Sequence, residues 1–138
     1  MKSRVKFIED MQFIATADSG HAVVMDAPVP VGGKNSGAKP SELVLMGLGG
    51  CTGMDVVSIL KKKKQEVSGL EMNISGETAE NPPKSFTSIH VEYVISGKNI
   101  SEEAVKRAIE LSSEKYCLVG ITLAGAATMT YSYKIIQE

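Results

Sequence analysis

The side chains best suited to chemistry in this chain are its two cysteines, Cys51 and Cys117, 66 positions apart. A thiol reacts as its thiolate, which needs a positive neighbour or a helix N-terminus. Cys51 sits in the middle of the apolar run from Pro40 to Lys64, which reads as one helix, so a helix terminus gives it little help. At 100° per residue its face carries Val44, Gly47, Leu48, Asp55 and Ser58. Asp55 therefore sets an acid one turn away. Arg4 and Arg107 are the only guanidinium groups available. On composition alone each cysteine reads as a small buried hydrophobe, and only folding can bring the two together.

Three other patterns fare less well. Gly47, Gly49 and Gly53 spell G-x-G-x-x-x-G, with Glu71 near the distance of a ribose-binding acid. However, the upstream chain reads as an antiparallel meander, which leaves no room for a doubly wound sheet. The glycines read better as a place where another helix approaches closely. No lysine follows the last glycine as a phosphate-binding loop requires. His21 and His90 are the only histidines. Neither has metal-ligand spacing to a cysteine, so no metal site or cofactor is expected. No Ser-His-Asp order stands out.

The elements that must position these groups follow from periodicity. Ser3 to Glu9 alternates, Met11, Phe13 and Ala15 repeat the pattern after a turn, and His21 to Asp26 is a third short strand. Together they predict an antiparallel meander. Ala27 to Lys39 has no periodicity and is long for a compact domain, a length often found in functional or disordered segments. Pro40 and Glu42 suit the first turn of the long helix, and Lys61 to Lys64 suit its end. It is apolar on every side, so protein is expected all around it. Leu70 to Ser75 and Ile89 to Ile95 form two strands around Pro82-Pro83. Ser101 caps a second helix. Cys117 falls at or just after that helix's end, Leu118 to Ala126 makes a short third helix, and Met129 to Ile135 a last strand. This order predicts a single α+β domain with mainly antiparallel sheets, and a homodimer in which a second copy covers the long helix.

Composition sets the remaining bounds. Hydrophobic residues make up 43% and charged residues 22%, with a net charge of -1 and no tryptophan. That excludes an electrostatic nucleic-acid surface and a base-stacking one. The run Leu43 to Met54 is short of the about 20 residues that span a bilayer, and no signal peptide is evident. Two distant cysteines fit a reducing cytoplasm.

The block PSELVLMGLGGCTGMDVVSILKK at 40 to 62 resembles the central-helix motif of the OsmC/Ohr superfamily, nearest its YhfA-like branch. SSEKYC at 112 to 117 resembles that family's second cysteine motif, and the element order fits from Lys2 to Gln137. The resemblance implies an OsmC-like α+β fold: an intertwined homodimer with curved sheets around long central helices and active sites at the dimer interface. It also implies a thiol-dependent peroxidase for organic hydroperoxides, serving an oxidative or osmotic stress response. Cys51 would attack the peroxide, Cys117 would resolve the sulfenic acid to a disulfide, and a dithiol reductant would reset the pair. In the hydroperoxide-resistance branch a glutamate precedes the first cysteine by ten residues. Here the candidate is Glu42, nine residues before. The family's arginine lies in the early hairpin loop, which here reads ADSGH, so Arg4 is the candidate cation. The other function considered is a non-catalytic dimer of the same fold that binds a small apolar ligand.

Overall fold

Alternation from Ser3 onward builds the first sheet. β1 (Ser3–Glu9), β2 (Gln12–Ala17) and β3 (Ala22–Met25) pair antiparallel in the order β1-β2-β3. Phe7 lies opposite Phe13, with the rings edge-on at 5.5 Å, a favourable cross-strand aromatic pair. Asp10 takes a positive φ of 51° in the β1–β2 turn, which a short polar side chain tolerates. The computed structural model describes residues 1–138 as two compact units, Met1–Val44 and Leu45–Glu138.

The aperiodic segment after β3 is ordered around a buried carboxylate. Asp26, 3% exposed, accepts hydrogen bonds from the Ala27 N–H (2.7 Å), the Lys34 N–H (3.2 Å), and the Ser36 N–H (3.1 Å) and hydroxyl (2.6 Å). The Ser36 hydroxyl, then the Ser36 and Ala27 N–H groups, hold the Asp26 pKa down at about 2. Gly33 closes against the same corner: a Cβ there would lie 1.8 Å from the Ala27 carbonyl oxygen. No residue of β1, β2 or β3 is buried. Phe7, Val29 and Val31 are each more than half exposed.

The second unit is built on α1 (Pro40–Lys62), which begins in the last residues of the first unit. α1 carries Lys61 and Lys62 in its last turn, and Lys64 leaves the helix with φ 56°. β4 (Glu66–Thr78) and β5 (Phe86–Lys98) form a long antiparallel pair. On β5 the inward residues Ile89, Val91, Tyr93 and Ile95 are at most 1% exposed. Ser101 caps α2 (Glu102–Leu111), its hydroxyl accepting from the Ala104 N–H at 3.3 Å, as the sequence predicts. Ala104, Val105, Ala108 and Ile109 join Leu48, Val56 and Leu60 of α1 in the core. A π-turn over Ser112–Tyr116 leads to α3 (Leu118–Ala124) and then to β6 (Thr128–Gln137).

Two small sheets and one long helix give the expected α+β class, with three differences of detail. β6 runs parallel to β5, giving the order β4-β5-β6. The helical crossover from α2 to α3 returns the chain to the starting end of β5, so the new strand repeats its direction. Second, Gly49 and Gly53 meet a sheet, not a helix. A Cβ on Gly49 would lie 2.6 Å from Ile74 Cδ1, and one on Gly53 3.5 Å from Met72 Cγ, so these glycines let α1 press onto β4. Third, α1 is not covered on every side within the chain: Met46 is 56% and Met54 75% exposed. By length and composition the whole helix is long enough to cross a membrane, although the shorter run 43 to 54 alone is not. Its Leu48, Thr52, Val56 and Leu60 are instead buried in the protein core.

Candidate active site

Both thiols lie in the second unit. α1 carries Cys51, partly exposed, on the turn between Leu48 and Asp55. Cys117 is 1% exposed and ends the π-turn, its N–H donating to the Ser112 carbonyl at 2.8 Å. Its Sγ then caps α3 by accepting from the Gly120 N–H at 3.3 Å. Burial first, and then a hydrogen bond to the Cys51 thiol, push the Cys117 pKa up to about 11. The fold has therefore brought together two thiols that are 66 residues apart in sequence. One is reachable from solvent and the other is held protonated at neutral pH. Such a pair can exchange between dithiol and disulfide.

Beside the thiols runs a chain of hydroxyl groups. Thr52 Oγ1 lies 2.7 Å from Tyr93 OH and 2.7 Å from Ser112 Oγ. Ser112 donates to Asp55 Oδ2 at 2.9 Å. Thr52, Tyr93 and Ser112 are at most 2% exposed, and these bonds satisfy their buried oxygens. The carboxylate fixes the direction. It only accepts, so the Ser112 proton points to Asp55. Thr52 must then donate to Ser112, and Tyr93 to Thr52. Burial is the main cause of the Tyr93 pKa rising to about 12, and charge on Tyr131, Cys117 or Asp55 raises it further. Burial also raises Tyr131, with Cys117 as the second cause. Sequence reading missed this network. The available signal was a phenol at the inward position between Val91 and Ile95, because a buried tyrosine hydroxyl usually has a partner.

The remaining candidates lie in the first unit. Glu42, in the first turn of α1, pairs with Lys39 at 3.4 Å across an exposed surface. Arg4 is exposed on β1 opposite Thr16. In the second unit Arg107 pairs with Glu110 at 2.8 Å. His90 shares its ring nitrogens with Thr130 and Ser132, each at 2.7 Å, and His21 sits by Ser19 at 3.1 Å. The α1–β4 face carries a groove of about 810 Å³ lined largely by Met46, Met54, Val57, Leu70, Met72 and Ile74.

Residues 33–132 match the family described as OsmC-like protein. The chain is 40% identical to Protein YhfA of Escherichia coli over 99% of its length and 98% of that protein. It superposes on a hypothetical protein from Aquifex aeolicus with a TM-score of 0.87 and 29% identity, covering 99% of this chain and 96% of the other. The organic hydroperoxide resistance protein OhrB of Bacillus subtilis shares the fold at a TM-score of 0.64 and 20% identity, over 97% of this chain and 98% of that one.

Proposed function

The chain belongs to the OsmC-like family, and on that premise we propose that it is a dithiol peroxidase for organic hydroperoxides, acting as a cytoplasmic homodimer in a stress response. The observation that carries this reading is a partly exposed Cys51 near enough to the buried Cys117 for its thiol to help raise the Cys117 pKa. Cys51 as thiolate attacks the terminal peroxide oxygen. The O–O bond breaks, the alcohol leaves with a proton, and Cys51 becomes a sulfenic acid. Cys117 then attacks the Cys51 sulfur, water leaves, and a disulfide forms. An external dithiol returns both residues to thiols and is itself oxidised. Glu42 and Arg4 are the acid and the cation proposed to assist at the substrate end.

The dimer is proposed because apolar side chains remain uncovered in both units. Met46 and Met54 on α1, and Phe7, Val29 and Val31 in the first unit, are each more than half exposed, which is characteristic of an association surface. The same groove on α1 and β4 supports the second reading, a dimer that holds a small apolar ligand without turnover. Cumene hydroperoxide consumption with a dithiol reductant separates the two. The peroxidase reading predicts that Cys51→Ser abolishes turnover and Cys117→Ser stops after one equivalent. No consumption by the native protein, with apolar ligand binding unchanged in Cys51→Ala, would establish the second reading instead.

A further inference from the structure

On the dithiol reading, Cys117 must be held where its sulfur can reach Cys51. The residue ends a π-turn over Ser112–Tyr116, a rare geometry that is frequent at functional sites. In an α-helix the Cys117 N–H would bond four residues back, to Ser113. Here it bonds five back, to the Ser112 carbonyl at 2.8 Å, and the extra residue changes the direction in which Cys117 faces. Ser112 is in turn fastened to α1. Its buried hydroxyl lies 2.7 Å from Thr52 Oγ1 and donates to Asp55 Oδ2 at 2.9 Å. Thr52 is the chain neighbour of Cys51 and Asp55 lies one turn further on, so both anchors belong to the helix segment that carries the first thiol. An unbroken path of covalent and hydrogen bonds thus runs from Cys51 through Thr52 and Ser112 to the Cys117 backbone. On the other side of Cys117, Gly120 completes the seat. Its N–H donates to Cys117 Sγ at 3.3 Å. A Cβ there would lie 3.3 Å from that sulfur and 3.4 Å from Leu48 Cδ1, about one turn before Cys51 on α1.

We propose that Ser112 is the positioning residue of the disulfide-forming step: bonded to Thr52 and Asp55 through its hydroxyl and to Cys117 through its carbonyl, it clamps the π-turn to α1 and keeps the second sulfur within reach of the first. The inference rests on the dithiol reading and adds to it the residue that sets the effective concentration of Cys117 at Cys51. Two groups on separate elements react as one unit only when the fold has already brought them together. Releasing Ser112 frees the turn to move, and Cys117 with it. The clamp acts on the backbone of Cys117 rather than on its sulfur, so it changes the closure equilibrium and not the reactivity of Cys51.

The test is the equilibrium of the full chain with a glutathione buffer. Glutathione disulfide oxidises Cys51 and Cys117 to the intramolecular disulfide and is itself reduced to two glutathione thiols, which carry away the two protons. The ratio at equilibrium, read by alkylation and intact mass, gives the effective concentration of the pair. Ser112→Ala keeps the carbonyl that binds Cys117 and removes the hydroxyl that binds α1. It should lower the effective concentration at least about tenfold, well inside the loss that a misplaced reacting group produces, and so raise the reduction potential by about 30 mV. Thr52→Val, which keeps the shape and loses the bond, should do the same. Thr52→Ser, which loses a methyl group and keeps the bond, should retain the wild-type value although it packs less well. The rate at which Cys51 first takes up glutathione should be unchanged in all three. Thermal melts establish which variants are folded, and if Ser112→Ala is not, the two Thr52 variants decide alone. Wild-type values in Ser112→Ala and Thr52→Val, or an equal fall in Thr52→Ser, overturn the clamp and leave the dithiol intact. A native chain that forms only a mixed disulfide at Cys51 overturns the dithiol reading and the clamp with it. Absence of hydroperoxide consumption, read separately, overturns the peroxidase reading alone.

Discussion

Replacing Thr52 by valine removes one oxygen from the centre of the buried hydroxyl chain and little else. The two side chains have nearly the same shape, and Thr52 is 2% exposed, so packing changes little. What changes is hydrogen bonding. Tyr93, 0% exposed, loses the acceptor for its phenolic proton, 2.7 Å away. Ser112 keeps Asp55 as its acceptor at 2.9 Å but loses its donor. A buried donor left without a partner costs about 1–3 kcal/mol, and the under-satisfied Ser112 oxygen adds a smaller amount. The expected loss is therefore about 2–3 kcal/mol, which lowers the melting temperature by roughly 5–10 °C in a chain of this size. Tyr93→Phe alone costs less, about 1 kcal/mol, because Thr52 still donates to Ser112. The double variant has no stranded phenolic proton, so it should be no less stable than Thr52→Val alone. The two effects are thus non-additive by at least about 1 kcal/mol. Urea unfolding under reducing conditions, at one protein concentration, gives all four values. Additivity, or a Thr52→Val loss below about 0.5 kcal/mol, would refute the directed chain on which the site description rests.

Other outcomes follow from the same structure. Cys117 and Tyr93 have folded pKa values of about 11 and about 12, both raised, so the native state keeps protons that the unfolded chain releases. Their contributions are intact below the unfolded values and are lost as pH climbs through the folded ones, by about 2 kcal/mol each; chemical denaturation between about pH 9 and about pH 12 (the window these shifts set) should show a steady fall, and a flat profile would contradict the burial of both groups. Asp26 is shifted the other way, to about 2, so its stabilisation holds above the ordinary aspartate range and disappears as pH falls toward that value. Asp26→Asn should abolish this acid-side loss and loosen residues 27 to 36, read by amide exchange. A Cβ added at Gly47 would meet nothing within 4 Å, whereas one at Gly49 would lie 2.6 Å from Ile74. Gly47→Ala should therefore raise stability by about 0.5–1 kcal/mol through helix propensity, and Gly49→Ala should not; the reverse order would show that α1 is not seated on β4.

Much of the chain's layout is readable in its sequence because periodicity is local. Ser3–Glu9 alternates and forms β1 with those bounds, and Ser101 caps α2. β4 is legible only in its middle. The sequence pattern covers Leu70 to Ser75, but the strand runs from Glu66 to Thr78 because its ladder with β5 continues through residues with no alternation. The direction of β6 depends on a crossover path, which local pattern does not encode. Asp26 reads in the sequence as the end of a strand before a loose loop. Its role emerges only when the Lys34 and Ser36 N–H groups fold back onto it. At the site, Cys51 and Asp55 share a helix face, so their nearness is visible from spacing. Thr52, Tyr93 and Ser112 come from three different elements, and only the fold joins them. Cys117 likewise gains its thiol neighbour from tertiary structure, and in the sequence only the family resemblance pairs it with Cys51.

The central claim is that Cys51 and Cys117 act as one redox unit. Intact mass after a single equivalent of cumene hydroperoxide, without reductant, tests it most directly. The native chain should become lighter by two hydrogen atoms as the disulfide closes. Cys117→Ser should become heavier by one oxygen atom at Cys51, and Cys51→Ser should not change. A native chain that stays unchanged, or a Cys51→Ser chain that still takes up oxygen at Cys117, would contradict the account.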